Sequence, residues 1–274
     1  MIKTILVPTD FSETAKNATH YAIAFAEKMN INKITLFHGY QVLSVNDPIV
    51  RKVEVLNVEP IQSKSIELLE AFKASLGDIP AGIQIELTHG SADLIDGIEE
   101  IIEFTQADII ISGITGGNKL KETFVGSNTL ALAKKVSIPV IIVPPTATCK
   151  QIKKMALATD LVDVEATIPD VKIRKPFILH QLELSIVHVS SSEEMADVNK
   201  QKDAFKTLFP GYPLSFVNLQ SDNFTEALND YCEKESIDLL TVIPKQHGIW
   251  GKLFNSHTKA LAFQSNIPLY VVHN

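Results

Sequence analysis

Three groups of residues in this sequence have the types and spacing for chemistry. In the first, Gly113-Ile-Thr-Gly116 is followed after nine residues by Gly126-Ser127, and a helix-prone run continues through Asn128 and Thr129. Glycines let backbone N–H groups approach an anion closely and tolerate positive φ. The unpaired N–H groups at a helix start favour phosphate there. Ser127 and Thr129 would add hydroxyl donors, and Lys119 and Lys121 would add charge. The segment is not a Walker A loop, because Asn118 and Leu120 stand where glycine and Ser/Thr belong. On spacing alone, Gly113, Gly116, Gly117 and Gly126 suit a plain surface turn equally well. The second group is Asp10, directly after a β-rich run, and its counterpart Asp160; an acid there either meets a ligand or caps a helix. The third is His38 and His188, at matching strand ends, which read as satisfied imidazoles rather than metal ligands. No HxxxH, HExxH or His/Cys cluster accompanies them.

The elements that must position these groups repeat once. Lys3-Thr-Ile-Leu-Val-Pro-Thr-Asp10 returns 150 positions later as Lys153-Lys-Met-Ala-Leu-Ala-Thr-Asp160. Further on the offset falls to 130, where Ala107-Asp-Ile-Ile-Ile faces Ile237-Asp-Leu-Leu-Thr. It ends at 129, where Ser137-Ile-Pro-Val-Ile-Ile-Val143 matches Asn266-Ile-Pro-Leu-Tyr-Val-Val272. The second half therefore lacks about 20 residues opposite the Gln41 to Ile61 stretch of the first. The spacing predicts units over 1–145 and 151–274 with a linker at 146–150.

Within the first unit, short Ile/Val-rich runs alternate with helical periodicity. Ala15, Ala18, Ala22, Phe25, Ala26 and Met29 make one stripe, with Asp10 or Ser12 as its N-cap. Ile66, Leu69, Phe72 and Leu76 make a second, closed by Gly77. Ile95, Ile98, Ile102 and Thr105 make a third. Runs apolar on both faces imply parallel strands covered by helices, hence a doubly wound α/β fold with ligands beyond the carboxyl ends of the strands. In the second unit Pro169 and Pro176 interrupt the first helix, which should be shorter or displaced.

Composition sets the outer bounds. A net charge of −7 speaks against duplex nucleic acid as a partner. Apolar stretches such as Ile138 to Val143 fall far short of the ~20 residues that span a bilayer. The opening residues lack the regions of a signal peptide, and Cys149 and Cys232 form no CxxC; both fit a cytoplasmic protein. Cys232 falls on a core stripe, whereas Cys149 in the linker is the thiol expected to be exposed. Without a GxSxG elbow or a general base cued beside Ser127, catalysis is not expected.

The glycine spacing, the opening Val7-Pro8-Thr9-Asp10-Phe11-Ser12-Glu13 and the closing Ile138-Pro139-Val140-Ile141-Ile142-Val143 resemble the universal stress protein family. The repeat makes the resemblance one to its tandem, two-domain form. It implies two adenine nucleotide α-hydrolase-like, Rossmann-like domains in one chain. It also implies ATP in the first, with Mg²⁺ or Mn²⁺ at the phosphates. By that resemblance Pro8, Thr9, Asp10 and the main chain at His38-Gly39 would hold the adenosine. Gly113, Gly116, Gly117, Gly126, Ser127 and Asn128 would hold the phosphates. In the second half Ile243, Gln246 and Asn255 replace the motif glycines, so that copy should bind no ATP. Trp250 or Lys245 would either plug its cleft or sit in a solvent-facing loop. Single-domain relatives pair their last strands between subunits, so Ile138 to Val143 and Leu269 to Val272 would form an internal pseudo-dimer, with homodimerisation also open. The implied role is a nucleotide-responsive stress regulator acting on an unknown protein partner, with the Gln41 to Pro60 insertion as moving part and at most slow ATP hydrolysis. The alternative is an interaction scaffold that binds no nucleotide.

Overall fold

A computed structural model describes residues 2–40, 59–91, 97–114, 127–177, 182–190, 201–244 and 266–274. The first half runs β1 (Thr4–Pro8), α1 (Glu13–Met29), β2 (Lys33–Tyr40), α2 (Glu59–Ala74), β3 (Gln84–Ser91), α3 (Ile98–Thr105), β4 (Ile109–Gly113), α4 (Ser127–Lys135) and β5 (Val140–Val143). The second runs β6 (Lys154–Ala158), α5 (Val164–Thr167), α6 (Asp170–Arg174), a 3₁₀ turn at Lys175–Phe177, β7 (Glu183–Ser190), α7 (Lys202–Leu208), β8 (Leu214–Gln220), α8 (Phe224–Lys234), β9 (Leu239–Val242) and β10 (Leu269–Val271). The ten strands among the described residues join one sheet in the order β3-β2-β1-β4-β5-β10-β9-β6-β7-β8.

The ladder uses the repeat read from the sequence. Ile5 pairs with Ile109 in the first half and Met155 with Leu239 in the second, which carries the 150 and 130 offsets into the hydrogen bonds. Within each half every neighbouring pair is parallel. The halves meet through β5 and β10, which run antiparallel with Ile141 opposite Tyr270. This is the internal pairing expected of the terminal strands, and it covers two edges that would otherwise be open to aggregation.

Buried residues fall into two layers, one on each face of the sheet. Residues of α1, α2, α5, α6 and α7 pack on one face, and those of α3, α4 and α8 on the other. α1 forms because its small residues Ala15, Ala18, Ala22 and Ala26 let the backbone lie close to the strands, while Tyr21 and Phe25 fill the flanks. Asn30 ends the helix in the left-handed conformation, its N–H reaching Ala26 and Glu27. The α2 stripe is rotated from expectation: Ser65, Leu69 and Phe72 face the sheet, and Ile66 is 45% exposed. Both 65-69-72 and 66-69-72 satisfy a helical period, and the narrower Ser65 occupies the inner place.

In the second half the proline-broken region is short, as expected: α5 has four residues, α6 five and the 3₁₀ turn three. Phe177 of that turn packs edge-on to Phe25 of α1 and to Tyr270 of β10, joining the halves across the seam. Asn17 of α1 donates to the carbonyls of Pro144 and Ala147, holding the connecting segment. Cys232 lies fully buried, and burial pushes its thiol up to about 12. Cys149 is less exposed than its linker position suggests: it packs on the core and interacts with Tyr21, and burial lifts its thiol to about 11.

Candidate functional site

The first candidate residues stand where β1 hands over to α1. Thr9 donates its N–H to Phe37, extending the ladder past Pro8, and its hydroxyl oxygen accepts the Phe11 N–H at 3.0 Å. That tight turn puts Phe11 at φ +65°, a left-handed conformation unusual for an aromatic residue. Asp10 follows with Oδ1 accepting from both the N–H and the hydroxyl of Ser12. Ser12, not Asp10, is the N-cap of α1, its oxygen accepting the Ala15 N–H at 3.2 Å. Asp10 is exposed, and its Oδ2 makes no hydrogen bond among the described residues. An acceptor oxygen on a rigid turn is suited to a pair of sugar hydroxyls.

His38 secures the same turn from β2. Its Nδ1 lies 3.0 Å from the Thr9 carbonyl. A carbonyl only accepts, so Nδ1 carries the proton. The ring also lies tilted against Phe11, their centroids 4.4 Å apart, and Phe11 in turn meets Phe72 of α2. Gly39 follows in β2, in register with Gly90 of β3.

Gly113 ends β4, beside β1. A Cβ built on it would fall 2.5 Å from the Thr14 carbonyl oxygen in the first turn of α1. The bare Cα is therefore what lets α1 start against β4. Thr129 of α4 donates its hydroxyl to the Gly113 carbonyl at 2.7 Å and receives one from Ser112 at 3.1 Å. Its proton is thus committed to the β4 terminus rather than offered to an anion, unlike the donor role its position suggested. The bond pins the amino end of α4 to the carboxyl end of β4. Ser127 and Asn128 form the first turn of α4, while Gly116, Gly117 and Gly126 lie outside the described residues. Pro8, Thr9, Asp10 and Gly113 thus gather at the ends of adjacent strands, where the sheet order turns from β1-β2-β3 to β4-β5.

The second half repeats the turn and little else. Thr159 accepts from Leu161 at 3.1 Å, Asp160 accepts from Val162 at 3.0 Å, and His188 sits 2.8 Å from the Thr159 carbonyl. Asp160 therefore closes the turn; the residue at the N-cap of α5 is Asp163, without a side-chain cap bond. Ile243, at the place of Gly113, is buried in the layer that holds Leu161, Val164 and Ile168. Lys245, Gln246, Trp250 and Asn255 lie outside the described residues. Because the histidine bond survives where the glycines do not, His38 and His188 belong to the fold rather than to a ligand. Among the described residues no group of three His, Cys, Asp or Glu side chains is placed to hold a metal ion. No helix among them is long and apolar enough to cross a membrane.

Two structural roles escaped sequence reasoning. Gly113 was legible as a glycine of the motif, but its contact with Thr14 is a tertiary one. Glu99, a residue with no motif around it, accepts the N–H and hydroxyl of Ser137 at 2.7 and 2.9 Å, tying α3 to the segment that leads into β5.

The sequence model of the universal stress protein family matches residues 1–144. Universal stress protein MJ0577 of Methanocaldococcus jannaschii is 30% identical over 161 residues, 52% of this chain and 95% of that protein. Stress response protein NhaX of Bacillus subtilis is 28% identical over 167 residues, 51% of this chain and 96% of the relative. A crystal structure of a universal stress protein from Archaeoglobus fulgidus aligns over 98% of both chains with a TM-score of 0.72 at 17% identity, a likeness of fold.

Proposed function

We propose that this chain, which belongs to the universal stress protein family, binds ATP in the crevice of its first half and signals occupancy to a protein partner. Asp10 Oδ2 would take the ribose hydroxyls and the main chain at Gly39 the base, over a floor of Pro8 and Thr9. The amides of Gly113, Gly116, Gly117 and Gly126 and the first turn of α4 at Ser127 and Asn128 would take the phosphates. ATP supplies the polyanion that these donors neutralise, with Mg²⁺ or Mn²⁺ on the phosphates. The observation that carries this reading is that Asp10, whose Oδ2 has no hydrogen bond among the described residues, and the amino end of α4, pinned to Gly113, stand at the ends of adjacent strands at the switch in strand order. We read the site as one of binding and not of turnover, in a cytoplasmic protein free to self-associate further.

Occupancy becomes a signal only through differential affinity for two conformations. α1 is suited to transmit it: its first turn touches Gly113, its Asn17 holds the connector, and its Phe25 meets Phe177 of the other half. A second reading, a scaffold that binds no nucleotide, draws on one observation: α1 packing alone requires glycine at 113.

Calorimetric titration with Mg-ATP, after carried-over nucleotide is removed, separates the two. Binding should weaken about tenfold, roughly 1.4 kcal/mol, in Asp10→Ala and further in Gly126→Val. An unmodified chain that releases no heat and retains no nucleotide in equilibrium dialysis would leave the scaffold reading standing.

A further inference from the structure

The two seams between the halves are built alike but closed differently. Asp108 and Asp238 occupy equivalent places, one position before β4 and before β9. Asp108 Oδ2 accepts the N–H groups of Lys3 and Thr4 at 2.8 and 3.4 Å. Asp238 Oδ2 accepts those of Lys153 and Lys154, both at 2.9 Å. At the first seam the second oxygen, Asp108 Oδ1, receives the Lys175 ammonium of the other half at 2.6 Å. At the second seam no described lysine or arginine makes an ion pair with Asp238. A crevice of about 210 Å³ opens there instead, lined by Asp238, Lys150, Thr146, Thr148, Asn266 and Tyr21.

The crevice has a defined chemistry. Lys150 makes no ion pair among the described residues, so one acidic and one basic residue border the same space without an ion pair between them. Thr146 donates to Asn266 Oδ1 at 3.0 Å, which leaves the Asn266 amide hydrogens without a described partner. At ~30 Å³ per water the volume equals roughly seven waters. That is below the ~300 Å³ at which pockets for drug-sized ligands begin, so the crevice suits a ligand smaller than a nucleotide. A simple cation would neutralise Asp238 and repel Lys150, and a simple anion the reverse. A molecule carrying both charges satisfies both walls.

We propose that this seam crevice binds a small zwitterion of amino-acid size, its ammonium on Asp238 where Lys175 stands at the other seam, and its carboxylate on Lys150 and the Asn266 amide. The site is independent of the nucleotide crevice.

The test uses the full chain, with the common free amino acids and 4-aminobutyrate as probes and methylamine and acetate as single-charge controls. Thermal-shift screening is followed by equilibrium dialysis of the strongest probe. The expected result is one site per chain, no binding of either control, and affinity lower by about tenfold or more in Lys150→Met and in Asp238→Asn. Mg-ATP should not displace the probe. Lys150 is at the surface, so its variant decides the matter even if Asp238→Asn disturbs the strand amides. Absence of binding by every probe at about 10 mM, equal affinity in Lys150→Met, or displacement by Mg-ATP would each overturn the proposal.

Discussion

The turn after β1 and the turn after β6 are the same turn, yet they lead to different structures. Thr9-Asp10-Phe11 and Thr159-Asp160-Leu161 share the threonine and aspartate bonds, the left-handed third residue and the histidine beneath. One position later they part. Ser12 caps a 17-residue helix, whereas Val162 offers no cap and Pro169 stops the chain from forming a long one. The strand facing that helix changes with it. Where α1 is present β4 ends in Gly113, with Thr14 where a Cβ would be; where it is absent Ile243 is buried among the replacements. Loss of the first motif glycine in the second half therefore has a packing cause. A fold can keep its turn, its sheet and its histidine lock while giving up the helix that made a glycine necessary.

Breaking this comparison at its packing end should have the largest effect. Ile243→Ala removes buried carbon atoms from the layer that holds Leu161, Val164 and Ile168, and should destabilise by about 2–5 kcal/mol. Its thermal midpoint should fall by roughly 5–15 °C, read by circular dichroism. Gly113→Ala follows, because the Thr14 carbonyl is fixed in the first turn of α1 and cannot swing aside; overpacking of this kind costs about 1–3 kcal/mol. If Gly113→Ala melts like the unmodified chain, the packing role assigned to that glycine is wrong.

The smallest effect lies at the seams. Burial raises the Asp108 carboxyl, but the Lys175 ammonium and the Lys3 and Thr4 amides outweigh it and hold the group below its usual value. A depressed carboxyl stabilises the fold above its unfolded pKa of about 3.9, and that contribution disappears as pH falls through the lower, folded value. Lys175 is 44% exposed, so screening keeps the pair within about 1 kcal/mol. Lys175→Met should lower the midpoint by roughly 1–2 °C at pH 7, with the gap closing below about pH 4. A gap that widened on acidification would contradict the sign.

Much of this architecture is legible in the chain itself. The repeat survives because both halves need the same strand ladder, and α1 announces itself through alanines at helical spacing. The break at Pro169 is legible because proline acts locally. The rest depends on distant contacts. Ser65 displaces Ile66 from the inner face of α2 by fit to the sheet, which periodicity cannot see. The Thr129 hydroxyl is drawn to Gly113, sixteen residues back, and Lys175 reaches Asp108 from the other half. At the candidate site, Asp10 and Gly113 were named by pattern, while the bonds that fix them came from the fold.

Counting the adenine nucleotide that the intact chain binds at saturation, by dialysis followed by denaturation and chromatography, tests the asymmetry of the halves most directly. A polyanion held by the first half alone gives one equivalent per chain. Two equivalents would mean that Ile243 and its neighbours leave the second crevice open, and none would mean that Asp10 and the start of α4 serve the fold only.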